Sequence, residues 1–300
     1  MEIASSATTP SSSSLASTPL RFAMADGVQI AADAWGRPDD PPALLLHGGG
    51  QTRHAWKGTA AVLAGHGYYA VAADLRGHGE SGWSPDGRYP IERFAEDVRT
   101  LAAGFARKPV LIGASLGGIA SLVAAGEAAQ PIARALVLVD VTPRVDPAGV
   151  DRIRGFMAAR IDDGFGTLEE AADAIAQYLP HRPRPKRLDG LRKNLRLGDD
   201  GRFRWHWDPA FVRDVSRRTD SDREVRMTRA AQRLNAPLLL VRGGSSELVS
   251  EEIAREFVAK VPNARYVDVH GASHMVAGDV NDPFTDQVVA FLDSLPQPGP

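Results

Sequence analysis

Val110-Leu111-Ile112 runs straight into Gly113-Ala114-Ser115-Leu116-Gly117-Gly118 and then into the small-residue stretch Ile119 to Gly126. No other passage limits the possible folds so sharply. The branched apolar residues read as a buried strand, the stretch after Gly118 reads as a helix, and Ser115 stands at the corner between them. Gly113-Ala114-Ser115-Leu116-Gly117 matches G-x-S-x-G, the nucleophile elbow, in which a sharp strand-to-helix turn lifts a serine hydroxyl above the sheet edge. The spacing has a steric reason. Side chains two positions before and two after the serine would collide with strand and helix, and glycine has none. The same turn aims the next amide, that of Leu116, at the hydroxyl's position. A bare match also occurs at corners with only a structural role. Set directly between strand and helix, it points to a nucleophile.

The rest of the chain supplies the sheet that such a corner needs. Arg21 to Ala25 and Val28 to Trp35 flank Asp26-Gly27, a hairpin signal. Ala43 to Leu46, Tyr68 to Ala73 and Ala135 to Val139 are short apolar strands, as are Pro237 to Val241 and Tyr266 to Val269 late in the chain. Trp56 to Leu63 patterns as an amphipathic helix. Ile91, Phe94, Val98, Leu101 and Phe105 recur at helical spacing over Ile91 to Ala106. Strands without polar alternation, separated by helices, predict an α/β fold: a mostly parallel sheet with helices on both faces. The pattern breaks over residues 141–235, where no strand is expected and Ile153 to Ile161, Leu168 to Tyr178 and Phe211 to Val215 read as helices. That is a helical insertion. The core is then 20–140 and 236–296, closed by helices over Glu251 to Val261 and Phe284 to Leu295. Residues 1–19, rich in Ser, Thr, Ala and Pro, are expected to be a disordered tail, and 297–300 a frayed end.

Composition removes several classes of function. A net charge of -2 over 300 residues offers no surplus for nucleic acid or an anionic membrane surface. With no cysteine in the chain, disulfides, thiolate catalysis and cysteine-held metals are excluded, and a cytoplasmic location is expected. No run of roughly 18 apolar residues is available to span a bilayer. The N-terminal stretch lacks the basic start and apolar centre of a secretory signal, and its first arginine is Arg21.

In parallel sheets, reactive groups gather beyond the carboxyl ends of the strands. His47-Gly48-Gly49-Gly50 follows one such end and presents unencumbered backbone amides, the donors a developing oxyanion needs. Gly49 is the expected partner of the Leu116 amide, ahead of Gly48 and Gly50. A serine also needs a base of near-neutral pKa. Of the eight histidines, His274 lies in a loop after the last strand. His270 ends that strand, His206 lies in the insertion, and His47 and His78 belong to earlier loops. The third group is a carboxylate that holds the imidazole's tautomer. Glu247, in a glycine- and serine-rich loop after the penultimate strand, is expected there. Asp140, at the tip of the strand after the elbow helix, is the alternative.

Two further motifs are Asp74-Leu75-Arg76-Gly77-His78-Gly79-Glu80-Ser81 and Gly271-Ala272-Ser273-His274-Met275. With the elbow, they make the chain resemble the α/β-hydrolase fold family from Arg21 to Leu295. The first is similar to the family's DxRGHGxS loop, the second to its G-x-x-H-x histidine loop. The resemblance implies that the inserted helices form a cap and that the chain is a serine carboxylic-ester hydrolase. Its substrate would be a small or medium, apolar ester, cleaved through an acyl-enzyme with neither metal nor organic cofactor. The nearest subgroups are capped esterases, epoxide hydrolases, cofactor-free haloperoxidases and C–C-bond hydrolases. Epoxide hydrolases and haloalkane dehalogenases carry aspartate at the elbow, where this chain has Ser115. Aspartate is also the family's usual acid, though glutamate is tolerated. A perhydrolase or C–C-bond hydrolase would use the same triad, and a non-catalytic ligand receptor would use the fold alone. The particular ester and the oligomeric state stay open.

Other patterns carry blander readings. Gly77-His78-Gly79-Glu80-Ser81-Gly82 formally matches G-x-G-x-x-G, but Trp83-Ser84-Pro85-Asp86-Gly87 reads as a turn, not the helix a dinucleotide site requires. His270 and His274 are off any helix and lack the H-E-x-x-H pattern of a zinc site. The basic stretch His181 to Arg187 reads as a solvated face, or else as a patch that greets an anionic substrate. Phe203, Trp205 and Trp207 alternate within the insertion. They either line a pocket between insertion and core or anchor one to the other.

Overall fold

The apolar runs become strands close to their expected bounds in a computed structural model, which describes residues 16–180, 184, 188–215, 220–271 and 281–296. Along the first half these are β1 (Thr18–Ala23), β2 (Gln29–Trp35), β3 (Pro42–Leu46), β4 (Tyr69–Ala73), β5 (Val110–Ala114) and β6 (Ala135–Val139). Later come β7 (Leu195–Leu197), β8 (Phe203–Trp205), β9 (Leu238–Gly243) and β10 (Ala264–Val269). All but β7 and β8 join one sheet in the order β1-β2-β4-β3-β5-β6-β9-β10. The two pairings at the β1 end, β1–β2 and β2–β4, are antiparallel. Every other pairing is parallel, so β3, β5, β6, β9 and β10 end on one edge. The chemistry expected at strand ends therefore has one place to gather.

The helices are α1 (Lys57–Gly65), α2 (Ile91–Ala103), α3 (Leu116–Gly126), α4 (Pro147–Ala158), α5 (Leu168–Tyr178), α6 (Pro209–Val215), α7 (Asp220–Arg233), α8 (Glu251–Lys260) and α9 (Asn281–Asp293). Successive residues of β3 face opposite layers. Leu44 and Leu46 belong to the apolar layer that contains α2, α3, α7 and α8, whereas Leu45 belongs to the layer that contains α1 and α9. Both faces of the central strands are covered, which is why their sequences lack polar alternation. Burying these side chains from water is the main stabilising contribution, roughly 1.5–3 kcal/mol for each fully buried large aliphatic residue.

Three features differ from the sequence reading. The stretch 141–235 was expected to hold no strand, yet β7 and β8 pair there as a small antiparallel hairpin, with Leu195 opposite Trp205 and Leu197 opposite Phe203. Its turn is Asp199-Asp200-Gly201, with Gly201 at φ +75 and the Asp200 carboxylate accepting from the Arg202 amide. Next, α7 is a long helix where only loop was expected. Met227, Ala230, Ala231 and Leu234 make a narrow apolar seam, buried in the layer that contains α3. Finally, β1 begins inside the stretch read as tail, for Thr18 and Pro19 already pair with Ala34 and Asp33. Residues 1–15 and 297–300, the remainder of the expected tails, lie outside the described residues. Among the described residues, no helix is long and apolar enough to cross a membrane.

Candidate active site

β5 turns into α3 through Ser115, which adopts φ 44 and ψ -112. An L-residue in so sparsely populated a region costs on the order of 1–3 kcal/mol and persists only where its surroundings over-determine it. They do so here. The Ser115 amide donates to the Val139 carbonyl at 3.2 Å, the Ile119 amide to the Ser115 carbonyl at 2.9 Å, and the Gly117 amide to the His47 carbonyl at 3.1 Å. Backbones approach so closely that a Cβ on Gly113 would lie 2.5 Å from the Gly117 carbonyl oxygen, and one on Gly117 would lie 2.4 Å from that of Leu46. The two glycines of the motif are a packing requirement.

The glycine loop after β3 stands over this corner. A Cβ on Gly48 would lie 3.3 Å from that of Ser115. The Gly48 amide is taken, donating to Gln51 Oε1 at 2.9 Å. The Gly48 carbonyl is held by His47 Nδ1 at 2.8 Å. Because the Leu75 amide donates to His47 Nε2 at 2.9 Å, the ring hydrogen must be on Nδ1, and that nitrogen is the donor. Burial, aided by Arg53 and His54, pushes the His47 pKa down to about 4, so the ring is neutral near pH 7. Two amides beside the serine have no acceptor among the described residues: that of Gly49, and that of Leu116 at the open start of α3.

The two candidate acids sit in opposite surroundings. Asp140 ends β6, is fully buried, and holds φ 51. Its carboxylate accepts from the Gly243 amide at 3.1 Å and from Ser246 Oγ at 2.6 Å. Glu247 lies farther along the same loop with its side chain half exposed, and Arg152 of α4 donates to its Oε1 at 2.5 Å. His274 lies outside the described residues, and His270, expected to face its neighbours at the strand end, is exposed.

Ser115, Leu116 and Gly49 all border one cavity of about 480 Å³. Its far wall comes from the segment between β6 and β9, including Phe156, Met157, Trp205 and Trp207. Trp205 and Trp207 stack at 5.0 Å with an interplanar angle of 15°, and both are buried. Trp205 Nε1 also donates to the Ala159 carbonyl at 3.4 Å. Trp205 and Trp207 thus line the cavity, Trp205 also anchors the segment that carries it, and Phe203, half-buried, is not part of the cavity lining.

The Asp74–Ser81 loop ties that segment to the sheet. Asp74 is fully buried and accepts from the Arg53 amide, from Arg53 Nη1 and from the Glu80 amide. Arg76 forms a two-point bond to Asp97, both contacts at 2.6 Å. Such a bidentate pair fixes orientation as well as charge. On the other side, the Tyr89 hydroxyl donates to Asp208 at 2.6 Å and the Asp208 amide to the Gly77 carbonyl at 2.8 Å. After Gly82 the chain runs through turns until α2 starts at Ile91, so no helix opens on the glycines of the G-x-G-x-x-G match. Of the basic stretch 181–187, only Arg184 is described, exposed and bonded to Asp173 at 2.7 Å.

Sequence reasoning named Gly49 and Leu116 but assigned nothing to Gln51 or His206. Gln51 Oε1 is what removes Gly48 from the set of available donors, and the ring of His206 touches the next glycine, Gly50. The only available signal was three residues of spacing for Gln51. For His206 there was none.

A profile of the alpha/beta hydrolase family matches residues 43–287. An esterase of Mycobacterium tuberculosis is 32% identical over 274 residues, spanning 88% of this chain and 87% of the relative. A 3-hydroxybutyrate-oligomer hydrolase of Cupriavidus necator is 28% identical over 82% of this chain and 87% of its own length. A crystal structure of the M. tuberculosis esterase superposes with a TM-score of 0.73 at 28% identity, covering 93% of this chain and 92% of that one.

Proposed function

Because the chain belongs to the alpha/beta hydrolase family, we propose that it hydrolyses carboxylic esters of small or medium apolar acids by way of an acyl-enzyme on Ser115. One observation carries the reading. A serine on a strained, sterically enforced corner borders an apolar cavity together with two backbone amides that have no acceptor among the described residues. That is the equipment for forming and stabilising a tetrahedral intermediate. The relatives named as an esterase and an oligomer hydrolase support the same chemistry.

In this mechanism His274 takes the Ser115 proton as Oγ attacks the acyl carbon, and the electron pair of the carbonyl moves onto oxygen. The amides of Gly49 and Leu116 receive that oxyanion. Collapse expels the alcohol, which takes the proton from His274. Water, deprotonated by the same imidazole, then releases the acid and regenerates Ser115. For the carboxylate behind His274 we favour Asp140 over Glu247. A fully buried acceptor on the strand beside the elbow is suited to holding an imidazolium, whereas Glu247 is occupied by Arg152 at the surface. The segment between β6 and β9 acts as the cap, with Trp205 and Trp207 in the wall against which the acyl chain lies.

The test is covalent. A fluorophosphonate probe should label the wild-type protein at Ser115, and Ser115→Ala should abolish both labelling and turnover of nitrophenyl esters while leaving the melting temperature in place. Only the residual effect of binding and oxyanion donors, about 10³–10⁴ over water, should survive. Labelling of the Ser115→Ala protein at the wild-type level excludes the mechanism.

A further inference from the structure

Buried in the segment between β6 and β9 is a histidine that the mechanism above does not use. His206 is only 2% exposed, and both its ring nitrogens are engaged by backbone of the sheet domain. The Gly79 amide donates to Nδ1 at 2.7 Å. An accepting Nδ1 in a neutral ring puts the hydrogen on Nε2, and Nε2 lies 3.3 Å from the Gly50 carbonyl oxygen. The bond therefore runs from His206 to Gly50. Burial, with His78 and His47 close by, holds this pKa well below the usual histidine value and keeps the ring neutral.

We propose that His206 is a positioning residue, which holds the glycine loop so that the Gly49 amide points at the developing oxyanion. Gly49 is gripped from both flanks. On one side, Gly48 is fixed through its amide by Gln51 and through its carbonyl by His47. On the other, Gly50, at φ +75, is fixed through its carbonyl by His206. The rings of His47, His78 and His206 follow one another at 5.3 and 5.9 Å, forming a solid wedge behind the loop. The cap itself is thereby wired to the oxyanion donor. A preorganised donor is effective because it pays no reorganisation as charge develops. Freeing Gly50 restores that reorganisation.

This inference rests on the reading of Gly49 as a donor to an acyl intermediate at Ser115, so the experiment separates the two. His206→Asn keeps an acceptor where Nδ1 was and removes the donor to Gly50. His206→Gln instead carries an amide nitrogen to the Nε2 position. The readouts are steady-state turnover of nitrophenyl acetate and inhibition by a trifluoromethyl ketone. Ser115 Oγ adds to the ketone carbon, the carbonyl pair becomes an oxyanion, and the serine proton passes to the base. His206→Asn should lower kcat about tenfold and weaken the ketone about tenfold, with KM within about twofold, and His206→Gln should recover most of both. Wild-type kcat and ketone affinity in His206→Asn overturn the proposal. So does an equal loss in both variants, or a loss that appears in KM alone, for then the residue only supports the fold. If the ketone binds Ser115→Ala as tightly as wild type, the acyl-enzyme reading itself has failed and the proposal falls with it. That outcome differs from ketone binding that depends on Ser115 but not on His206.

Discussion

Asp140 and Glu247 show how two carboxylates on neighbouring strand ends can differ in kind. Asp140 is enclosed and hydrogen-bonded by Ser246 and the Gly243 amide, whereas Glu247 faces solvent and Arg152. Exposed ion pairs of the second type contribute about 0–1 kcal/mol. Glu247→Gln should therefore leave kcat within about twofold and the melting temperature nearly unchanged. Asp140→Asn should lower kcat by roughly 10³–10⁴ with KM little affected. Nitrophenyl ester kinetics with a thermal melt on each variant decide it, and the reverse pattern moves the acid to Glu247. The sequence showed both residues at strand ends, because order along the chain reveals that much. The sequence favoured Glu247 and the proposal favours Asp140, a difference that order along the chain could not supply because Arg152 lies 95 residues away in α4 and burial is a property of the whole assembly. The corner at Ser115 was legible because the two glycines that permit its close backbone approaches stand within two residues of it, although the acceptors Val139 and His47 lie far along the chain. His274 was legible as a loop position only, and lies outside the described residues.

The short elements between β6 and β9 were harder to read than those of the sheet. α5 was expected at Leu168 to Tyr178 and is found there, begun by Thr167, whose hydroxyl accepts from the Glu170 amide. A capping side chain of that kind is a local signal. The β7–β8 hairpin was missed although Phe203, Trp205 and Trp207 alternate and Asp200-Gly201 offers a turn. Strands of three residues carry too few alternations to stand out from loop. α7 was missed because its apolar seam is narrow and arginine-rich on every other side. β8 delivers Trp205 to the cavity wall, and the proposed function makes that ring a determinant of chain length. Trp205→Leu keeps the site apolar but removes ring volume. It should raise the kcat/KM ratio of octanoate to acetate esters about tenfold, the scale of one or two methylenes in a fitted pocket. A chain-length panel reads this directly, and a parallel fall for every ester would leave Trp205 as an anchor alone.

At the scale of the molecule, three neutral histidines lie where the segment between β6 and β9 meets the sheet. Burial pushes His47 down to about 4 and His78 to about 3, with His206 also well below its usual value. In the unfolded chain such rings titrate near 6.5. Between roughly pH 6.5 and pH 4 the unfolded state thus binds more protons, and stability falls as pH drops. Each ring contributes a slope of up to ~1.4 kcal/mol per pH unit. Urea midpoints should hold from pH 8 to 7 and then decline steadily to pH 5, with a shallower decline in His78→Phe. A midpoint that is flat from pH 7 to 5 counts against the neutral wedge. Nothing in the sequence signalled this junction, for Tyr89 and Asp208 meet across 119 residues and Gly79 and His206 across 127. The route of the excursion, by contrast, was plain from the break in the strand pattern after Asp140. The chain departs from β6 and returns on its hydrogen-bonded neighbour β9, with Val139 beside Val241. Because the two strands run parallel, the excursion leaves the sheet after Val139 and re-enters at Leu238, which stands opposite Leu136, so its ends stay on the order of 10 Å apart however long it is. Closing a loop costs only ~0.6 kcal/mol more for each doubling of its length. Chain length in the chamber's roof is therefore a nearly neutral variable, and insertions placed away from the Tyr89–Asp208 and Gly79–His206 ties should leave the sheet beneath folding as before.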